Sequence, residues 1–173
     1  IPSNLPSLKN IEMSALYLPH SEVGGDYYDI IDRGNDQIIF CIGDISGKGV
    51  SAAMLMSNVQ ANFRALAREN IGLEELIRRL NKRFVKITSG ERFITFFVAT
   101  LNLSNGDIEY INAGHNPPIL IQGNKYLLLE SGSTILGAFD DIPNMKVGKS
   151  NMNKSDLLFL YTDGLIDLET EGE

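Results

Sequence analysis

The chain has 173 residues, of which 43% are hydrophobic and 21% charged, and it carries a formal net charge of -7. That profile excludes a disordered chain and a general nucleic-acid binder, whose affinity for phosphates needs clustered Lys and Arg; an acidic chain is better suited to hold cations. The length suits one domain able to bury about two thirds of the surface its unfolded form exposes, and no apolar run approaches the ~20 residues that a membrane-spanning helix needs.

The start, IPSNLPSLKN, has neither the basic nor the apolar region of a signal peptide. With no initiating Met and an abrupt end at ETEGE, the chain reads as a piece of something longer, residues 1–10 being a linker from an upstream region. IEMSALYLP (11–19), DYYDIID (26–32) and DQIIFCIGD (36–44) are short, rich in β-branched and aromatic residues and bounded by Pro, Gly and Asn, which predicts three strands. Cys41, the single cysteine, sits inside the third run and is expected to be a buried small residue in a protein of a reducing compartment.

From Val50 the period changes. Ala53, Met56, Val59 or Gln60, Phe63 and Leu66 recur every three or four positions, predicting a helix with one apolar stripe. A second helix follows Gly72, with Leu73, Leu76, Ile77, Leu80, Phe84 and Ile87 on one face and Arg78, Arg79, Lys82 and Arg83 on a solvated one. Met54 and Met56 are expected to pack in the core.

RFITFFVATLNL (92–103), IEYINAG (108–114), PPILIQ (117–122) and KYLLLE (125–130) read as strands joined by turns at SNGD and GN. A looser segment, 131–154, leads to DLLFLYTDG (156–164), an apolar strand expected to end on Asp163. Strands, a helical pair and more strands predict an α+β layered fold with largely antiparallel sheets.

Asp26 follows Gly24-Gly25, Asp44 closes IIFCIGD, and Asp163 precedes Gly164. Each is read as a carboxylate held at a strand end, with glycine allowing neighbouring groups to crowd in. Asp beside Gly is also ordinary turn chemistry, and spacing along the chain leaves convergence open. If the three converge, their repulsion calls for a proton or a cation, and all-oxygen ligation selects Mg²⁺ or Mn²⁺. Such a metal lowers the pKa of water and neutralises charge on a phosphoryl group, so a metal-assisted phosphoryl hydrolase is the reading that follows.

Other residues invite different readings. Lys48 in SGKG lies before a helix, but Gly49 occupies the hydroxyl position of a phosphate loop, and a structural or solvent role is expected. His115, among Pro and Gly in NAGHNPP, is expected with Asn116 to hydrogen-bond backbone in a rigid loop rather than to act as acid or ligand. His20 has no identifiable partner. Asp140-Asp141 in GAFDDIPN reads as a solvated loop.

VGGDYYD (23–29), GDISGKG (43–49) followed by AAMLM, AGHNPP (113–118) and YTDG (161–164) occur in an order that resembles the metal-dependent Ser/Thr protein phosphatases, the PPM family, in the bacterial branch often called SpoIIE-like. The resemblance covers nearly the whole chain from residue 5. It implies an α-β-β-α layered sandwich of two mainly antiparallel sheets flanked by helices, with a two-metal Mn²⁺ or Mg²⁺ centre at one edge. By motif, Asp26 and Asp44 would be the catalytic metal ligands, Asp44 bridging, with the carbonyl of Ile45 and the side chain of Asp163 completing the set. Water on the metals would attack phosphoserine or phosphothreonine without a covalent intermediate, and no other cofactor is expected.

The resemblance further implies a cytoplasmic enzyme of sigma-factor partner switching. Its substrate would be a phosphorylated anti-anti-sigma-type protein, with an upstream sensor or linker region in the same chain, homodimers common, and no nucleic-acid or membrane contact by this segment; the parent protein is open to membrane anchoring. In animal and plant relatives a Glu precedes the first Asp and a His follows the second motif's DG; here Gly25 and, approximately, Ser46 stand there, which leaves leaving-group protonation to solvent. The family also has a last metal-binding Asp near its C-terminal end, so residues 1–173 are expected to be one phosphatase domain truncated there, Asp167 being too close to Asp163 to serve. Two alternatives stand beside this reading. One is a catalytically silent domain of the same fold that binds a phosphoprotein or relays a signal; the other is a nucleotide cyclase suggested by GGD, although cyclases usually continue Glu-Phe where this chain has Tyr27-Tyr28.

Overall fold

A computed structural model describes residues 2, 5–8, 11–18, 24–69 and 71–166. In chain order the elements are β1 (Asp26–Gly34), β2 (Gln37–Ile45), α1 (Gly49–Ala67), α2 (Leu73–Thr88), β3 (Ile94–Asn102), β4 (Asp107–Ala113), β5 (Ile119–Gln122), β6 (Lys125–Leu128), β7 (Gly132–Ser133), β8 (Gly148–Asn151) and β9 (Leu157–Phe159), followed by a 3-10 turn (Asp163–Leu165). One sheet runs β1-β2-β3-β4-β7, with β8 also on β4; a smaller one runs β6-β5-β9.

β1 and β2 form a hairpin whose two-residue loop, Asn35-Asp36, has φ of 51° and 56°. Both positive values match the turn whose twist suits paired strands, and Asn and Asp tolerate them. β2 is buried along nearly its whole length because it is covered on both sides. Ile39 and Cys41 face the helices together with Phe96, Val98 and Ile111, while Ile38, Phe40 and Ile42 face the small sheet with Phe97, Leu101, Ile108 and Leu120. The alternation is the period of two that a strand imposes.

Ala52, Met56, Val59, Phe63 and Leu66 of α1 and Leu73, Leu76, Ile77, Leu80 and Phe84 of α2 cover the first face. Each large side chain so buried contributes about 1.5–3 kcal/mol. β1 is fastened to α1 twice. Arg33 Nε donates to the carbonyl of Ala67 at 2.7 Å, and Arg64 Nε donates to the buried carboxylate of Asp29 at 2.6 Å, which also accepts from Tyr27 Oη at 2.6 Å. The fold is therefore α+β, with helices on one outer face of two mainly antiparallel sheets among the described residues.

Several expectations are corrected. Residues 11–18 form no strand; apart from an isolated Leu8–Ile11 bridge they are unpaired, and Leu16 and Leu18 are exposed. A strand is made by its partner, and β1, which ends the sheet order, pairs only with β2 among the described residues. Met54 is 70% exposed because the buried stripe of α1 runs through Ala52 and Met56, placing Met54 opposite. Ile87 is also exposed, and Asn81 and Thr88 complete the inner face of α2 instead. The 131–154 segment contains β7 and β8, both docked on β4. Gly132 is required there, since a Cβ would stand 1.9 Å from the Asn112 carbonyl oxygen. Finally, β9 stops at Phe159, so Asp163 opens a 3-10 turn rather than ending a strand. Cys41 is buried and Asp140-Asp141 exposed, as expected. His20 and Asp167 lie outside the described residues.

Candidate metal centre

Asp26 begins β1 and Asp44 lies one residue from the end of β2, and the register makes them Cα partners. Burial and neighbouring negative charge raise the pKa of both carboxyl groups. Asp44 is pushed up to about 7, first by burial and then by the charges of Asp26 and Asp163. Asp26 is raised by burial and by Asp163, against hydrogen bonds from Asp44 and the Thr162 hydroxyl. Asp163, delivered by the 3-10 turn, is thus near enough for its charge to act on both. Among the described residues no three His, Cys, Asp or Glu side chains close into a ready ligand set. The arrangement is a carboxyl pair with a third acid beside it.

The two glycines before Asp26 have separate reasons. A Cβ on Gly24 would meet the Tyr17 hydroxyl at 2.8 Å, and one on Gly25 would meet both Asp44 Oδ1 and the Ile45 carbonyl oxygen at 3.0 Å. Gly25 therefore keeps open the space in front of two oxygens, one from a carboxyl and one from backbone. Tyr17, on the unpaired N-terminal segment, has its pKa raised by burial, then by Asp26 and Asp44, and stays a neutral phenol at this rim. The sequence reading missed Tyr17 and Thr162; the paired glycines were the signal that something must approach here.

His115 is buried, and burial lowers its pKa to about 4, so the imidazole is neutral. Nε2 lies 3.1 Å from the carbonyl oxygen of Tyr161, which can only accept, so Nε2 carries the proton and Nδ1 accepts from Thr95 Oγ1 at 2.9 Å. The rigid loop is held by Asn112 rather than Asn116. Asn112 Oδ1 accepts from the His115 amide at 2.8 Å, and Asn112 Nδ2 donates to the carbonyls of His115 and Leu129. Lys48 is exposed at the start of α1. Across the same loop, Arg92 Nη1 donates to the Ser46 carbonyl at 3.1 Å, and the Phe93 amide donates to Ser46 Oγ.

These residues fit a hard divalent cation. The donors are oxygens, neighbouring negative charge raises the pKa of Asp44 where a counter-charge is wanted, and Gly25 places no side chain in front of the Ile45 carbonyl.

The family profile of Stage II sporulation protein E (SpoIIE) matches residues 34–173. The chain is 27% identical over 171 residues to the phosphoserine phosphatase RsbU of Bacillus subtilis, covering 98% of this chain and 50% of that protein. It superposes on the RsbU and RsbW domains of a Mycobacterium tuberculosis protein with a TM-score of 0.74 and 29% identity, covering 86% of this chain and 41% of the other. The PP2C phosphatase domain of Bacillus subtilis SpoIIE, solved with a fragment of its regulatory domain, gives a TM-score of 0.74 at 18% identity, covering 87% and 45%. The chain spans about half, or less, of the length of these relatives. With most of its length matched by the family profile, the chain belongs to the SpoIIE family.

Proposed function

We propose that residues 1–173 form a single phosphatase-type domain, residues 1–10 serving as a linker, that hydrolyses phosphoserine or phosphothreonine on a protein with the help of Mn²⁺ or Mg²⁺. The observation that carries this reading is the cross-strand pairing of Asp26 and Asp44, with Asp163 near enough to raise the pKa of both. Asp26, Asp44, the Ile45 carbonyl and Asp163 would hold the metal, with Asp26 and Asp44 at the reacting centre. A divalent ion bound there supplies positive charge for the phosphoryl oxygens and acidifies water.

The chain's own residues narrow the chemistry. Cys41 is buried with its thiol pKa raised by burial, so it cannot serve as a nucleophile. His115 has both ring nitrogens engaged and is not free to pass a proton to a leaving group. As the family resemblance implies, the bond from water oxygen to phosphorus would form directly as the serine or threonine oxygen departs; the water's proton passes to solvent and the departing oxygen takes one from it.

As part of the same proposal, drawn from the family resemblance, the substrate would be a phosphorylated regulatory protein of the anti-anti-sigma type in a cytoplasmic partner-switching system, with dimers of the parent protein. The test is release of phosphate from a phosphoserine protein with and without Mn²⁺. Mn²⁺-dependent turnover abolished in Asp44→Asn is expected. Tight phosphoprotein binding without turnover would instead identify a silent module of the same fold.

A further inference from the structure

We propose that His115 is a positioning residue, a clasp that holds the 160–163 segment against the sheet and so sets Asp163 beside Asp26 and Asp44. The inference rests on the metal-centre reading and deepens it.

β9 releases the chain after Phe159, and residues 160–162 belong to no ladder. Asp163 therefore cannot take its place from strand pairing, as Asp26 and Asp44 do. His115 provides another anchor. Its Nε2 donates to the Tyr161 carbonyl at 3.1 Å, two residues before Asp163, while its Nδ1 accepts from Thr95 at 2.9 Å. Thr95 is the cross-strand partner of Asp44. One ring thus connects the backbone that leads to Asp163 with the strand lying directly beside Asp44. The ring is itself fixed, being 4% exposed and gripped through its backbone by Asn112 at both the amide and the carbonyl.

The two ring nitrogens have separable stand-ins. A glutamine amide reaches about as far as Nε2 and can keep the bond to Tyr161; an asparagine amide reaches only about as far as Nδ1 and can keep the bond to Thr95. The clasp requires the Tyr161 bond, so His115→Gln should outperform His115→Asn at the metal site. The test measures Mn²⁺ affinity by calorimetry and, in metal-free protein, backbone hydrogen exchange. The expected result is a loss of Mn²⁺ affinity of about tenfold or more in H115N, a smaller loss in H115Q, and faster exchange in H115N confined to residues 160–166. Thr95→Val, which removes only the Nδ1 partner, should give a mild loss and keeps the test open if H115N does not fold. Wild-type Mn²⁺ affinity in H115N, or exchange raised equally in β2, β3 and 160–166, would overturn the clasp. A wild-type protein that takes up no Mn²⁺ would sink the metal reading, and the exchange pattern would still decide the clasp.

Discussion

Arg64 on α1 grips Asp29 on β1 through two nitrogens, Nε at 2.6 Å and Nη2 at 3.2 Å, although the Asp29 side chain is only 1% exposed. Removing the cation strands a buried carboxylate whose other side-chain partner is the Tyr27 hydroxyl. Because Arg64 itself is 41% exposed, Arg64→Ala should cost about 2–3 kcal/mol, less than loss of a partner from a fully buried pair. Tyr27→Phe should cost about 1 kcal/mol, and chemical denaturation of the two variants checks the order.

Asp44 yields a pH dependence whose sign follows from its raised pKa. The folded protein keeps this proton up to about pH 7, whereas an unfolded aspartate releases it near its ordinary value of 3.8. The stabilising contribution is thus complete below pH 3.8 and is lost as pH rises towards 7. Melting of metal-free Asp44→Asn at pH 8 should exceed that of the wild type. Mn²⁺ competes with the same proton, so wild-type Mn²⁺ affinity should climb between pH 6 and pH 8, and a flat profile in titration calorimetry would contradict this.

His115 acts in the opposite direction. Its pKa is lowered from 6.5 to about 4 by burial, so the unfolded chain binds a proton that the folded one refuses. Stability from this group is lost as pH falls from 6.5 towards 4. His115→Gln should flatten that acid limb, which thermal unfolding across the range would reveal.

Gly25→Ala tests the open space at the centre. Its methyl would meet Asp44 Oδ1 and the Ile45 carbonyl oxygen at 3.0 Å, so one of the two must give way. Displacement of a ligating oxygen should lower Mn²⁺ affinity about tenfold, with melting of the metal-free protein little changed.

Asn81 is a buried amide that joins α2 to the loop after β7. Its Oδ1 accepts from the Gly137 amide at 2.8 Å, and its Nδ2 donates to the carbonyls of Phe139 and Asp140. Asn81→Leu should cost about 2–3 kcal/mol, because partners that remain buried lose their bonds. Urea unfolding would measure it.

What could be read from the sequence follows the physics of each element. The apolar run IIFCIGD announced a strand, and the helical stripes of α1 and α2 were visible because burial repeats with the helical period. Asp26 and Asp44 were recognisable as strand ends beside glycine. Their direct pairing was not, since register depends on which strand lies alongside. β8, with the sequence GKSN, was hidden because it has no apolar face and exists only by docking on β4. The prolines and glycine around His115 signalled a rigid loop, but Tyr161, its partner, lies 46 residues away. Tyr17 was assigned to a strand, and nothing local indicated that its hydroxyl would come to rest against Gly24.

Cys41 has a practical consequence. It is the chain's one thiol, buried in β2 with its ionisation suppressed by burial and then by the nearby Asp29 charge. Thiol-seeking reagents therefore meet a blank surface on the folded protein. A cysteine installed at an exposed position such as Lys86→Cys would be the sole attachment point for a dye or spin label, so distances to this domain can be measured without first removing the native residue.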